Sequence, residues 1–300
     1  MLSILIPIYN FDIRKLVSDL EAAAQQLEVP YEILCFDDGS NADFRRLHQP
    51  LNERPHIHYR ELPENLGRSR IRNLLAAEAR YSYLLFMDCD SGLTSSDFLS
   101  NYLALAAPNR VVVGKRMYQA QPPQEAERYF RWLYGIQREQ RSAGQRNTHP
   151  YEAFCTHHFL CPKAVFDQLQ FDPNLRQYGH EDTQFGLDLE HIGIEVRHTD
   201  NPLLHIDLEP VDEFLPKTLR GIENLVYLQA KGSGIKTRLS DFHARLQKWG
   251  AAPLLALLYP RWKMLLEKNL RSDKPKLWVF DLYKLSYLAY FSRLRQKDQI

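Results

Sequence analysis

The sequence predicts an α/β protein in which a mostly parallel, doubly wound sheet is followed by a helical segment. Short apolar runs alternate with amphipathic helical patterns over the first two thirds of the 300 residues. Strands that alternate with helices form βαβ units, and such units build parallel sheets. Beyond Phe214 the pattern becomes helical, basic and aromatic. We therefore expect a sheet domain over residues 1–214 and a helical region over residues 215–300.

The predicted strands are short and apolar, whereas the predicted helices repeat apolar residues every three to four positions. The predicted strands are Ser3–Ile8, Glu32–Phe36, Ile57–Glu61, Tyr83–Met87 and Val111–Val113, with one near Phe159 and another at Glu195–Arg197. The predicted helices of this part are Ile13–Leu27, Arg68–Arg80 and Asp182–Ile192. Residues 117–160 are predicted to be a polar insertion with a helix around Tyr129–Gln140. Four helices are predicted after it: Leu219–Ala230, Leu239–Trp249, Leu254–Leu270 and Leu277–Arg295.

The charge of the chain is divided unevenly between these two parts. The total of 38 basic against 37 acidic side chains is ordinary for a globular protein, excludes a disordered chain and gives no indication of a nucleic-acid partner. Residues 1–214 hold 21 basic and 31 acidic side chains (net −10), and residues 215–300 hold 17 and 6 (net +11). The excess of basic residues in the helical region indicates a partner of its own.

Cysteine usage and apolar runs indicate a cytoplasmic protein. The four cysteines are too few and too scattered for a disulfide framework or a zinc site: Cys35, Cys89, Cys155 and Cys161. Pro7 and Asn10 interrupt the first apolar run, which therefore predicts a strand rather than a signal peptide. No stretch of the sequence approaches the roughly 18 apolar residues that a membrane span requires.

Acidic residues follow two of the predicted strands directly. Asp37 and Asp38 end the second strand, and Asp88 and Asp90 end the fourth. In a doubly wound sheet, ligands bind beyond the carboxyl ends of the strands, so these carboxylates lie where a ligand is expected. Asp38 with Gly39, taken alone, is more typical of a common turn. Asp88 and Asp90 point the same way in an extended segment and are able to share a divalent cation, but one N-cap and one solvated turn residue explain that pair equally well.

Two further groups are candidates for chemistry. Glu181 and Asp182 open a predicted helix, where acidic residues either stabilise the helix dipole or present a general base. His205 follows an apolar run, and both a structural role and a metal-binding role are compatible with it.

These elements together resemble the family 2 glycosyltransferases of GT-A fold, whose catalytic domain has a Rossmann-like, mostly parallel sheet. Seven segments occur in the order of that family over residues 1–206: Ser3–Asn10, Phe36–Ser40, Asn65–Asn73, Phe86–Ser91, Val113–Lys115, Tyr178–Thr183 and Leu204–His205. The resemblance implies an inverting enzyme that transfers a sugar from a nucleotide sugar to an acceptor hydroxyl.

The resemblance also implies roles for individual residues on the donor side. Pro7 and Tyr9 would line the nucleoside pocket, and Asp37 would bind the base, typically uracil. Arg72 would lie near the base and the diphosphate, and Asp88 would contact the ribose or the sugar.

The resemblance further implies a metal site and a catalytic base. Asp90 and His205 would bind the metal that bridges the diphosphate, either Mn²⁺ or Mg²⁺, and a histidine ligand favours manganese. Asp182 would deprotonate the acceptor hydroxyl, with Glu181 supporting it or contacting the acceptor. Ser91 stands where many relatives carry a further acid, so the division of the metal contacts is left open.

The acceptor is expected to be a saccharide or a lipid-linked molecule. The sequence lacks the Gln-x-x-Arg-Trp motif of processive synthases, which favours addition of a single sugar, as in polysaccharide biosynthesis. Two other functions remain open: a haloacid dehalogenase-like phosphatase that uses Asp88 and Asp90, and a non-catalytic nucleotide-sugar binder.

Two interpretations of residues 215–300 are also left open. Basic residues and apolar side chains there fit helices that rest on an anionic membrane, on its cytoplasmic face, or bind an acidic lipid-linked acceptor. Alternatively, these helices pack on the catalytic domain or form a homodimer contact. The apolar and aromatic residues concerned are Trp249, Leu254, Leu255, Leu257, Leu258, Tyr259, Trp262, Trp278 and Tyr283.

Overall fold

The computed structural model of the protein describes residues 1–174 and 179–298, so Tyr178 of the Tyr178–Thr183 motif lies outside the described residues. The strands are β1 (Leu2–Ile8), β2 (Tyr31–Asp37), β3 (Ile57–Glu61), β4 (Tyr83–Met87), β5 (Ser91–Leu93), β6 (Arg110–Met117), β7 (His158–Pro162) and β8 (Glu195–His205). The helices are α1 (Arg14–Ala24), α2 (Ala42–His48), α3 (Arg68–Glu78), α4 (Phe98–Leu103), α5 (Ala126–Tyr134), α6 (Ala143–Arg146), α7 (Lys163–Gln168), α8 (Glu181–His191), α9 (Val211–Ala230), α10 (Arg238–Lys248), α11 (Ala252–Leu270) and α12 (Leu277–Asp298).

The eight strands form one sheet in the order β3-β2-β1-β4-β7-β6-β8-β5. The pairs among β3, β2, β1 and β4 are parallel, as the alternation of strands and helices predicts. β7 runs antiparallel between β4 and β6, β8 is parallel to β6, and the short β5 is antiparallel to β8. The α/β fold class is therefore confirmed, with an antiparallel addition that the sequence did not indicate.

The sheet is covered on both faces, which explains why β1 and β2 are apolar throughout. Leu2, Ile4, Ile6 and Ile8 pack on one face in a cluster with residues of α1 and α4. Leu5 points to the other face and packs in a second cluster with residues of α3, α7 and α8. Side chains alternate between faces along a strand, so a strand that is buried on both faces needs apolar residues at nearly every position.

Two compact units make up the chain. The sheet unit consists of Met1–Gln119, Arg138–Arg176 and Glu181–Asp207, and the helical unit consists of Ala120–Gln137, Gln177–His180 and Leu208–Ile300. The helical unit has its own core, in which residues of α5, α9, α11 and α12 meet, among them Phe130, Leu215 and Phe280. Among the described residues, no helix is long and apolar enough to cross a membrane.

The structure differs from the sequence prediction mainly at the ends of strands. β8 extends eight residues beyond the predicted Arg197 and contains His205, and β6 continues to Met117. The predicted 117–160 insertion overlaps strands at both ends, because Met117 belongs to β6 and residues 158–160 belong to β7. The helix predicted around Tyr129–Gln140 begins earlier and ends at Tyr134, where a π-helical turn, Gly135–Glu139, follows it.

Candidate active site

The carboxyl ends of β1, β2 and β4 meet at one edge of the sheet because these strands are parallel neighbours. Pro7 lies in β1 and is partly exposed, and Tyr9 directly after β1 is 54% exposed. Asp37 at the end of β2 is fully buried. This edge therefore presents an exposed aromatic residue after β1 and a buried carboxylate at the end of β2.

Asp37 and Asp38 are both held by hydrogen bonds, but to different parts of the chain. Asp37 accepts from the Ser40 N–H at 2.7 Å and from the Tyr59 hydroxyl at 3.3 Å. Asp38 accepts from the backbone N–H groups of Leu66 and Gly67, at 2.7 and 3.0 Å. Asp38 thus fixes the start of α3, which begins directly after Gly67.

The residue between Asp38 and Ser40 must be a glycine. Gly39 has a φ of +82°, and a Cβ atom there would lie 2.9 Å from the backbone N of Asn65. Asp38 and Gly39 therefore form a tight backbone turn, as the Asp-Gly pair predicts. This turn brings the end of β2 against the loop that leads into α3.

Arg72 and Asp88 form an ion pair at this edge. The guanidinium of Arg72 is almost completely buried, and its Nη2 donates to Asp88 Oδ1 at 2.6 Å. The side chain of Asp88 remains 23% exposed. A charge-assisted bond of this length fixes the carboxylate while it leaves one side open to a ligand.

Three donors of metal-binding type come together beside this pair. Ligand atoms of Asp90, His157 and His205 all lie within 4.8 Å of one another. The antiparallel contact of β7 with β4 places His157, because the N–H of Asp88 donates to the carbonyl of His157 at 2.9 Å. The pairing of β5 with β8 places His205 opposite Ser91, next to Asp90.

This donor set fits a divalent cation. Oδ2 of Asp90 lies 3.3 Å from Nδ1 of His205. Oδ1 of Asp90 is a buried atom that accepts no hydrogen bond from the described residues. Carboxylate oxygen with two imidazole nitrogens suits manganese, iron, cobalt or zinc better than magnesium, which prefers oxygen ligands.

His157 and His158 are adjacent, and their ring centroids lie 5.2 Å apart, but their side chains have different partners. A hydrogen bond of 2.6 Å joins Nδ1 of His158 to the hydroxyl of the buried Tyr102, and burial lowers the pKa of His158 to about 3. A Cβ atom on Gly114 would lie 1.9 Å from the His158 ring, so only glycine fits there. His158 is therefore part of the core, while His157 points to the site.

Two carboxylates lie at the start of α8. Glu181 is buried, and its Oε1 lies 3.7 Å from Nη1 of Arg68. Asp182 is partly exposed yet largely surrounded by protein, and this desolvation, followed by the negative charge of Glu181, raises the pKa of Asp182 to about 6. Its Oδ1 accepts from the Thr183 N–H at 2.7 Å. A carboxylate with this pKa is a stronger base than an ordinary aspartate.

Two arginines link the metal-binding cluster with the carboxylates of α8. Desolvation opposes ionisation of Asp90, but the hydrogen bond and charge of His205, followed by the charge of Arg116 in β6, lower the pKa of Asp90. The same charge of Arg116 offsets part of the rise in the pKa of Asp182. The charge of Arg68, which contacts Glu181, also lowers the pKa of Asp90. The positive charges of both arginines therefore act on Asp90, in the metal-binding cluster.

Sequence reasoning assigned no role to Arg116 or to His157. Arg116 directly follows the Val113–Lys115 motif, and its Nη1 lies 3.3 Å from Oε2 of Glu139. The hydroxyl of Tyr118 donates to the same Glu139, and the Tyr118 ring packs edge-on against His205. The only signal for Arg116 was its position beside a motif.

The sequence family described as Glycosyl transferase family 2 matches residues 3–168, more than half of the chain. The chain belongs to this family. Its members are glycosyltransferases, and the predicted family and enzyme class are thereby confirmed. No curated protein matches the chain in sequence.

Solved structures share the fold of this glycosyltransferase. A mannosyltransferase from Pyrobaculum calidifontis, in complex with GDP-Man and Mn²⁺, is 16% identical with a TM-score of 0.56, over 97% of this chain and 86% of that one. GalNAc-T7, with UDP, GalNAc and Mn²⁺, is 14% identical with a TM-score of 0.51, over 70% of this chain and 43% of that one. S. aureus TarS (1–349) is 15% identical with a TM-score of 0.50, over 99% and 91%. The predicted GT-A fold is confirmed by these likenesses.

Proposed function

We propose that this glycosyltransferase moves one sugar from a nucleotide sugar, UDP-linked by preference, to a hydroxyl group of a saccharide or a lipid-linked acceptor, with inversion at the anomeric carbon. The observation that carries the proposal is the cluster of Asp90, His157 and His205, together with the carboxylate of raised pKa at Asp182. The charge of Arg116 acts on both Asp90 and Asp182. The presence of Mn²⁺ with GDP-Man or UDP in two structures of the same fold supports it.

The proposed metal ligands are Asp90, His157 and His205, with Mn²⁺ the preferred ion and Mg²⁺ the alternative. A divalent cation held there would neutralise the charge that develops on the leaving nucleoside diphosphate. The chain itself contributes two cations to the same task, Arg68 and Arg116, whose charges already act on Asp90. Fixed positive charges need no reorganisation during the reaction and therefore favour departure of the diphosphate.

Asp182 is the proposed general base. A hydroxyl group has a high pKa, so its proton must be removed as the new glycosidic bond forms. Desolvation and the charge of Glu181 raise the pKa of Asp182 to about 6, which leaves the carboxylate ionised near neutral pH but more basic than usual. One base acting opposite the leaving group gives direct displacement and hence inversion. Glu181, which contacts Arg68, is proposed to position Asp182 or to touch the acceptor.

The nucleoside is proposed to lie at the ends of β1 and β2. The exposed Tyr9 and the partly exposed Pro7 offer a surface for the base, and Asp37 is paired with Ile8 on the neighbouring strand. Asp37 already accepts two hydrogen bonds, and the remaining lone pairs of a carboxylate can accept one more from a base. The Arg72–Asp88 pair would bind the ribose and the diphosphate.

The proposal also covers the domain boundaries, the cellular location and the partners of the protein. Residues 1–214 are proposed to be the catalytic domain, with residues 117–160 near the acceptor, and residues 215–300 an appended helical region. We propose a cytoplasmic enzyme of polysaccharide biosynthesis with no nucleic-acid partner, in which a homodimer remains compatible with the sequence.

Asp182→Asn tests the proposed base. The variant should retain nucleotide-sugar binding, measured by calorimetry with Mn²⁺, and should lose release of nucleoside diphosphate to water and to acceptors. Asp188→Asn is the matched control, because Asp188 lies on the same helix and is also partly exposed. Turnover by Asp182→Asn at the rate of the unaltered protein would contradict the assignment.

The same assay separates the alternatives. A haloacid dehalogenase-like phosphatase that uses Asp88 and Asp90 would release inorganic phosphate from simple monoesters, and a non-catalytic binder would release nothing. Metal-dependent release of nucleoside diphosphate supports only the transferase.

A further inference from the structure

Helix α11 (Ala252–Leu270) is apolar on two opposite sides. One side is buried in the core of the helical unit through Ala256, Tyr259, Leu266 and Leu270. The opposite side, here called the outer face of α11, consists of Leu254, Leu257, Arg261, Met264, Leu265 and Lys268. These positions recur every three to four residues, so they lie along one side of the helix.

The apolar residues of the outer face are unusually exposed. Leu254, Leu257, Met264 and Leu265 are 58%, 53%, 80% and 68% exposed. Single exposed apolar side chains are normal on a protein surface, but a continuous row of them marks a contact site. A helix that only covers a core carries polar residues on its solvent side, so the outer face is not explained by the core of the helical unit.

The structure divides the apolar residues of this region into two groups. Tyr259 and Tyr283 belong to the core of the helical unit and are buried. Trp249 and Trp278, by contrast, are 73% and 62% exposed, and they flank α11 in the sequence on its two sides. Tryptophan is favoured at the level of lipid headgroups because its ring is apolar and its N–H is polar.

The charge around the outer face is strongly positive. Residues 245–276 contain eight basic and two acidic side chains, and Arg261 and Lys268 lie on the outer face itself. One of the two acidic residues, Glu267, is engaged within the helical unit, where it accepts hydrogen bonds from Tyr283 and Arg271, each at 2.9 Å. The outer face therefore combines exposed apolar side chains with cations that meet little opposing charge.

We propose that the outer face of α11 docks on the surface of an anionic lipid bilayer, with the helix lying in the headgroup region. Apolar side chains that enter the boundary of the acyl chains, with lysine and arginine beside them, are the features of such interfacial helices. A second copy of the chain fits this face less well, because it would bring together two regions that each carry a net charge of +11. The proposal goes beyond sugar transfer and would place the enzyme beside acceptors that are anchored in lipid.

Sedimentation of the full chain with vesicles tests the proposal. Vesicles of phosphatidylcholine with a third of phosphatidylglycerol should bind the protein at low ionic strength, and vesicles of phosphatidylcholine alone should bind it at least about tenfold more weakly. Added salt should release it, since the electrostatic part is screened. Lipids with a brominated acyl chain should quench tryptophan fluorescence, because Trp249 and Trp278 are exposed and flank α11 in the sequence.

Two variants assign the binding to the outer face. Met264→Asp with Leu265→Asp, and separately Arg261→Ser with Lys268→Ser, should each weaken binding at least about tenfold. Arg220→Ser with Arg238→Ser is the matched control, because both are exposed cations of the helical unit outside this face. The altered side chains are exposed, so the melting temperature of each variant should stay unchanged.

Several results would overturn the proposal. One is the absence of binding to anionic vesicles at low ionic strength without any fluorescence quenching. Another is undiminished binding by the Met264 and Leu265 double variant. A third is a dimer that this double variant dissociates in analytical ultracentrifugation while vesicles do not bind. Sugar transfer to a soluble acceptor should be equal in all variants, so failure of this proposal is distinguishable from failure of the proposed function.

Discussion

Asp182→Asn should make the protein more stable above pH 6, in addition to its effect on sugar transfer. Desolvation and the charge of Glu181 raise the pKa of Asp182 from its ordinary 3.8 to about 6. Folding therefore favours the protonated form, and ionisation of the carboxyl destabilises the folded state. A difference of about two pH units corresponds to about 3 kcal/mol, which is an upper value for the stabilisation that asparagine can give.

The pH dependence of this effect follows from the same two pKa values. Below pH 3.8 the carboxyl is protonated in both the folded and the unfolded state, so the substitution changes little. Between pH 3.8 and 6 the cost of ionisation grows, and above pH 6 it is complete. The gain from Asp182→Asn should thus be about half as large at pH 5 as at pH 8.

The positions of cysteine and tryptophan allow the unfolding of the sheet unit and of the helical unit to be measured separately. Cys35 and Cys161 are buried in the sheet unit and react with thiol reagents only after unfolding, so their labelling in urea reports the unit that contains Asp182. The four tryptophans lie in the helical unit, so their fluorescence serves as an internal control that should not change: Trp132, Trp249, Trp262 and Trp278. Two results would refute the reasoning. One is an Asp182→Asn variant with a lower free energy of unfolding than the unaltered protein at pH 8, and the other is a gain in that free energy that is the same at pH 5 and at pH 8.

Three further predictions concern the sheet unit. His157→Ser should weaken Mn²⁺ binding about tenfold or more, measured by calorimetry without nucleotide, and an unchanged affinity would remove His157 from the metal ligands. Gly114→Ala should cost about 1–3 kcal/mol in the urea unfolding of the sheet unit, because its Cβ would meet the His158 ring. Arg72→Met should cost about 1–3 kcal/mol and weaken nucleotide binding, since it leaves Asp88 without its cation, and equal affinity would contradict the pairing.

The sequence predicts the parallel half of the sheet well because that half is built from local patterns. The strands Ile57–Glu61 and Tyr83–Met87 were predicted with the bounds that the structure has. β5 has only three residues and exists because it pairs with β8, so its sequence carries no pattern of its own. The extension of β8 to His205 likewise depends on pairing with β6 and β5 rather than on composition.

The candidate site is predictable where a motif and a strand end coincide. Asp88 and Asp90 directly follow the apolar β4 and could be named from the sequence. His157 could not be named from the sequence, because the antiparallel pairing of β7 with β4 brings it to Asp90. That pairing joins distant parts of the chain. The partners that distinguish the two histidines, Asp90 for His157 and Tyr102 for His158, likewise come from distant parts of the chain.

The insertion of β7 between β4 and β6 also has a consequence for how the protein folds. The hydrogen bond from Asp88 to the carbonyl of His157 closes a long loop, whereas α11 and α12 are neighbours in the chain and pack together locally. Long-range strand pairing is slow because loop closure must precede the contacts that reward it. We expect the amides of α11 and α12 to become protected from hydrogen exchange early during refolding and the Asp88 amide to become protected late. The candidate active site would therefore be the last part of the protein to form.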